Sequence, residues 1–354
     1  MFYTLNINIF VQQKTYTMKK GKLYLMGLAV PFIISCESHP SFKNSADVVE
    51  GCQKELVELK KTNDLPIDKL AKVTSYWLEI QDSAYSVFGR DSTISLRSPV
   101  AMSYFIVSDS IRSEISRIAF SQQRTLKDVM YLKLNTANGV EKIRKSDTYK
   151  DAVGFFDNLD KQPLYNSLQT TLSAYSKLLG SARKFRNGQE LIDFIAKEDI
   201  CFRSLMAYLS QVSSRDLKLL TDETSVIFND LYSSIGNNAD DVNDHTMLYL
   251  TMRFNRRIVQ NALACKNDIQ RNVPLSKAQM ANYRWMLIQP FMAIDDYSTK
   301  VLTDNQKEEL LNISNELPSL LGKLEIKSQT KEQEEEFNNV LANYFLKTYL
   351  STSL

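Results

Sequence analysis

An all-α bundle of about ten antiparallel helices is what this sequence predicts, and three observations carry the prediction. Apolar residues recur at spacings of three and four from about residue 45 almost to the end of the chain. Glycine is scarce, with ten in 354 residues, where average usage of about 7% would give about 25. Hairpin-rich and phosphate-loop folds need glycine for their turns. The third observation is a recurring helix-start device, a hydroxyl residue followed three places later by glutamine, at Ser276, Thr303 and Thr330.

Taken in order, Val49, Cys52, Leu56 and Leu59 make the first stripe. Pro66 stands where a first-turn proline belongs, and Leu70, Val73, Trp77, Ile80, Ala84 and Val87 follow as a heptad-like seam stopped by Gly89. Residues 91–98 are the candidate for a brief extended piece. Pro99 then opens a helix with Ile111, Ile115 and Ile118 on one face. Shorter helices are expected over 125–135, 147–158 and 164–180. If the body from 45 to 354 divides into two helical subdomains, the polar, proline-containing segment 158–163 is the expected boundary.

Helices over 189–212 and 222–235 lead to Gly236 and a polar loop. The longest helix is expected over 242–269, with Met247, Leu250, Phe254, Ile258, Ala262, Cys265 and Ile269 in one stripe. Glutamines 279, 306 and 333 complete the three capping patterns that open the last helices. Pro290 and Pro318 fall inside helical patterns and are expected to kink or interrupt them.

Ahead of this body, Met18-Lys19-Lys20-Gly21-Lys22 precedes an apolar run from Leu23 to Ile34, then Ser35 and Cys36. The run is shorter than the roughly 20 residues of a membrane-spanning helix and matches the charged and apolar regions of an export signal. Residues 18–36 resemble a bacterial lipoprotein signal peptide, in which an aliphatic residue, a tolerant position and a small residue precede an invariant cysteine. The resemblance implies that Cys36 receives a diacylglyceryl group and that residues 1–35 are leader, with translation starting at Met18. It also implies that residues 36–44 form a lipidated tether. Two or three acyl chains, at about 0.8 kcal/mol per buried methylene, anchor stably where one is marginal. The expected address is a bacterial cell envelope, at the outer membrane, with the membrane as partner through the anchor.

Charge and histidine content exclude several classes. Lys+Arg 43 nearly balances Asp+Glu 41, and loss of residues 1–35 takes four lysines and no acid, moving the formal charge from +2 to −2. No nucleic-acid partner is expected from such a balance. His39 and His245 are the two histidines, too few for a histidine-rich zinc site. No HExxH, Walker, GxSxG, GxGxxG or EF-hand pattern occurs. No metal and no cofactor are expected. Cys52, Cys201 and Cys265 sit in or beside apolar stripes and are expected to be buried and unpaired, one disulfide being the alternative.

Three residues stand out as ligand-binding candidates. Arg253 and Arg257 lie four apart, opposite the apolar stripe of the longest helix and with Arg256 beside them. They are placed either to clamp an anion or to keep that face wet and salt-bridged. Glu198 falls within the apolar run Leu191, Ile195, Phe202, Leu205 and Leu209, so it either sits at the edge of the stripe, pairs with a basic residue, or is desolvated with a raised pKa. Asp240, Asp241 and Asp244 read as helix caps before a cation site. Trp77 and Trp285 read as core or rim before a ligand groove. No catalytic set assembles from local motifs. The sequence therefore points to a non-enzymatic binding or scaffolding component with another envelope protein as partner. The alternative is a carboxylate-using hydrolase or glycan-active enzyme built on Glu198 or on Asp295 and Asp296.

Overall fold

The computed structural model describes residues 42–89, 95, 97–136, 139–181, 185, 187–235, 243–324 and 330–353. Every regular element among them is helical: fourteen α-helices and one 3₁₀ turn, with no strand. The count exceeds ten partly because short helices such as Val140–Lys145 and Asp296–Lys300 form where no periodic stripe announces them. The chain divides into two compact units. The division falls between Gln123 and Arg124, and segment 158–163 lies inside the second unit, where the helix Asp147–Asp160 ends. Cys36 and His39 and residues 91–94 and 96 of segment 91–98 lie outside the described residues, as do Asp240 and Asp241 and the side chains of Asp244, His245 and Asp296.

The first unit comprises α1 (Ser45–Lys61), α2 (Ile67–Phe88), α3 (Pro99–Phe120) and residues 346–352 of the final helix. Asn44 starts α1 by accepting the backbone N–H groups of Ala46 and Asp47, and Ser98 caps α3 ahead of Pro99 in the first turn. Trp77, Tyr104, Leu59, Leu70, Ile111, Ile115 and Ile118 form its interior. The seam from Leu70 to Val87 is buried along α2 as its spacing predicts.

Helices α1 and α3 share the largest interface of this unit and run parallel, as they do when α2 returns between them in the chain. Cys52 and Tyr104 are electrostatic neighbours, and farther along both helices Arg117 donates to the carbonyl oxygens of Leu59 and Thr62, the latter at 2.8 Å. Residue numbers thus increase together on the two helices. Helix α2 brings its end back to the level of Tyr104, where Phe88 and Tyr85 meet that ring at centroid distances of 5.2 and 6.4 Å.

The second unit holds α4 (Leu126–Asn135), α5 (Val140–Lys145), α6 (Asp147–Asp160), α7 (Leu168–Ser181), α8 (Gly188–Ala207), α9 (Ser214–Ile235), α10 (Asn243–Gln270), α11 (Lys277–Ala293), α12 (Asp296–Lys300) and α13 (Asp304–Gly322). The part of α14 (Lys331–Ser353) before Leu346 completes it. Helix α10 is central, packing against α6, α8, α11, α12 and α13. The capping boxes at Ser276 and Thr303 form in both directions, and Thr330 and Gln333 exchange the same pair of bonds. Pro290 and Pro318 do not end their helices, which continue to Ala293 and Gly322. Helix α9 starts at Ser214, eight residues before the expected 222, because Ser213 accepts the Asp216 backbone N–H and donates to its carboxylate.

Where the chain enters the first unit, Phe42 is buried against Gly51, and a Cβ at residue 51 would lie 2.8 Å from its Cε1. A mid-helix glycine costs roughly 0.5–1 kcal/mol relative to alanine; here it makes room for a ring. Gly51→Ala is accordingly expected to destabilise the native chain but to stabilise the Phe42→Ala chain. Denaturant unfolding of the four proteins checks this, and equal gains in both backgrounds would contradict the contact.

Candidate functional site

Helix α8 starts from Asn187, whose side chain accepts the Glu190 backbone N–H, and it buries Leu191, Ile195, Phe202 and Leu205 as the sequence spacing requires. Two consecutive acids, Glu198 and Asp199, fall on its buried surface, at 1% and 4% exposure. Consecutive helical positions diverge by about 100°, so the two carboxylates reach different groups on α10.

Glu198 takes both candidate arginines. Arg253 Nε donates to its Oε2 at 2.9 Å, and Arg257 Nη2 donates to Oε1 at 2.8 Å. Tyr175 of α7 donates its hydroxyl to Oε1 and accepts Arg257 Nη2 at 2.6 Å. Thr224 of α9 stands 3.4 Å from that hydroxyl and bonds back to the Leu220 carbonyl. Burial alone would push the Glu198 carboxyl up. The charges of Arg253 and Arg257, with hydrogen bonds from Arg253 and Tyr175, outweigh it and hold the pKa at about 2.

Asp199 serves the other side. Arg203, one turn on in α8, donates Nε at 2.8 Å and also reaches the Leu159 carbonyl. Arg256 of α10 contacts Asp199 at 3.4 Å and grips Asp160 of α6 with both terminal nitrogens, at 3.1 and 2.8 Å. Each α10 arginine also covers a phenylalanine: Arg253 over Phe228 at 3.7 Å, Arg256 over Phe156 at 4.9 Å and Arg257 over Phe202 at 4.1 Å. The planar guanidinium suits both contacts at once.

The structure therefore brings together all three sequence-predicted candidates, but as partners of one another. The expectation of a wet arginine face does not hold for Arg253 and Arg256, each 9% exposed, because α6 and α8 cover that side of α10. Glu198 is the paired carboxylate among the alternatives, with its pKa lowered. Tyr175, Thr224, Asp160, Asp199 and Arg203 were not singled out by the sequence. Only the Asp199–Arg203 pair, at the i,i+4 spacing of a helical ion pair, carried a local signal.

Chemically the cluster is a cross-link. Both Glu198 oxygens are engaged, and a carboxyl with a pKa near 2 has no proton to donate at neutral pH. Among the described residues no group of three or more His, Cys, Asp or Glu side chains is placed to hold a metal ion. Cys52, Cys201 and Cys265 are buried free thiols, as their apolar neighbours in sequence suggest. Trp77 is core, while Trp285 is 44% exposed on α11. Asp295 is an exposed N-cap that accepts the Ser298 backbone N–H.

A second buried cation lies on α4. Lys133, within the apolar run Met130, Leu132 and Leu134, donates to the carbonyl of Phe291 in the last turn of α11, where helix carbonyls lack intrahelical partners. Burial lowers its pKa to about 7, with the charge of Asp295 opposing the shift.

No protein-family model, no curated protein and no solved structure matches this chain.

Three expected outcomes test these charges. Glu198→Ala leaves Arg253 and Arg257 facing each other without their carboxylate and should cost about 3–5 kcal/mol in denaturant unfolding. The Glu198 contribution is fully present above its unfolded pKa near 4.3 and is lost as pH falls toward 2, so Glu198→Gln should flatten the acid limb of the stability curve. Lys133 acts in the opposite sense. From about pH 7 to about 10.4 the unfolded chain holds a proton the folded chain has released, so stability rises with pH there, by up to about 4 kcal/mol. Lys133→Met should remove that slope between pH 7 and 10, whatever its effect on absolute stability.

Proposed function

We propose that this chain is a lipid-anchored protein of a bacterial envelope, at the outer membrane, whose body of two helical subdomains is a non-enzymatic binding or scaffolding component. The observation that carries the reading is the order of residues 18–36: three lysines, an apolar run, a small residue and then Cys36. Among the described residues no helix is long and apolar enough to cross a membrane. Membrane attachment in this reading is through acyl chains on Cys36.

A binding role has support in the large apolar side chains left exposed on the second unit. Leu219 and Val226 on α9 and Trp285 and Met292 on α11 are 44–58% exposed, on helices that contact each other. Such side chains suit a protein partner. The hydrolase reading has no comparable observation in its favour, since Glu198 is committed to two arginines and Asp295 to a helix start.

Changing Cys36 to Ser and fractionating cells tests the anchor. The expected result is release from the membrane fraction or accumulation of unprocessed precursor. Unchanged fractionation with a fully processed product would overturn the reading.

A further inference from the structure

Resting on the lipid-anchor reading, we infer that the end of the first unit formed by the starts of α1 and α3 and the close of α2 lies on the phospholipid surface. Met102 and Ile106 of α3 would sit among the headgroups. Three independent observations converge on this end.

The first is where the chain enters. Phe42 is fixed against Gly51, so the chain from Cys36 has six residues of reach, at most about 20 Å when fully extended. The second is the parallel pairing of α1 and α3. Cys52, next to Gly51, neighbours Tyr104, which puts the entry point level with residues 102–106 on the adjacent helix. Packed helices are about 8–10 Å apart. A bilayer holding lipidated Cys36 is therefore within reach of that stretch of α3.

The third is what that level exposes. Ile106 is 64%, Tyr85 50% and Met102 48% exposed, and Met102 and Ile106 are one turn apart on one face of α3. Tyr104, between them in sequence, lies about 200° round the helix from Met102 and is fully buried, so the Met102–Ile106 face points away from the core. Two exposed aliphatic side chains on one helix face suit burial among lipid headgroups. The same end carries two helix N-termini against the one C-terminus of α2, with Lys43 and Arg97 just ahead of them and Asp47 the one acid in either first turn, a balance that favours lipid phosphates.

The test uses the full chain purified from membranes and placed in phosphatidylethanolamine–phosphatidylglycerol vesicles with brominated acyl chains. The three described native thiols are buried, so a thiol-reactive dye marks an introduced cysteine. It is placed at Ile106→Cys, or at Lys61→Cys, at the far end of α1, about 14 Å along the helix beyond Cys52. Loss of fluorescence at 106 but not at 61 is the expected result. Fluorescence at 106 that brominated lipid leaves unchanged in the acylated protein overturns the inference while the anchor stands, and so does a dye shielded from water there but not quenched, which signifies a protein cover. Intact mass of the same preparation reports acylation of Cys36 separately. If Cys36 is bare, the full-length Cys36→Ser chain with the same vesicles decides: quenching at 106 supports the contact surface without the anchor, and none there means that both readings fall.

Discussion

Desolvation of guanidinium groups is the constraint around which the second unit is organised. Arg253, Arg256 and Arg257 occupy one side of α10, and the packing of α6 and α8 over that side removes the water that would otherwise solvate them. An unpaired interior charge costs several kcal/mol even after relaxation. Carboxylates must therefore arrive with the covering helices, and they do: Glu198 and Asp199 from α8, Asp160 from α6. Tyr175 and Thr224 extend the network to α7 and α9, so one polar node reaches five helices. A hydrophobic interface of equal area would tolerate sliding. This one pairs its charges in a single register, although Arg253 Nη2 and Arg256 Nε are buried without a hydrogen-bond partner, so it acts as a device of specificity more than of stability.

The interior of both units uses a second economy for polar groups. Thr74, Thr136, Thr171, Ser204, Thr224, Thr251 and Thr299 each return their hydroxyl to the carbonyl four residues earlier in their own helix. A hydroxyl satisfied this way needs nothing from a neighbour. Most buried Ser and Thr thus fit an all-α body without a partner outside their own helix, while Thr224 and Ser204 also take one, and buried cross-helix pairings such as Asn255 with the Ser298 carbonyl stand beside the charged cluster and Lys133.

Helices were legible wherever stability is local in sequence. The seam Leu70–Val87 and the capping boxes at Ser276, Thr303 and Thr330 lie within a few residues of the structure they specify. The missed start of α9 was also local, since Ser213 and Asp216 hold the spacing of a cap. Helix α5, of six residues, has no buried side chain to leave a stripe. The charged cluster was only half legible. Sequence marked Glu198 as an acid among apolar neighbours and Arg253 and Arg257 as a pair, yet their contact spans 55 and 59 residues. Nothing at either end names the other. That α1 packs chiefly on α3 and not on its chain neighbour α2 was hidden for the same reason, because spacing within a helix fixes its buried face but not its partner.

The three interior thiols have one more consequence. Burial, with smaller help from nearby carboxylates, moves Cys52 up to about 12 and Cys201 to about 11, and it raises Cys265 well above its ordinary value. Sulfur reacts with disulfides and oxidants as the thiolate, a form these side chains scarcely populate at neutral pH. Folding therefore takes the three sulfurs out of redox exchange, so that in an oxidising compartment the finished protein neither scrambles nor cross-links through them and the hazard is confined to the interval before the helices close.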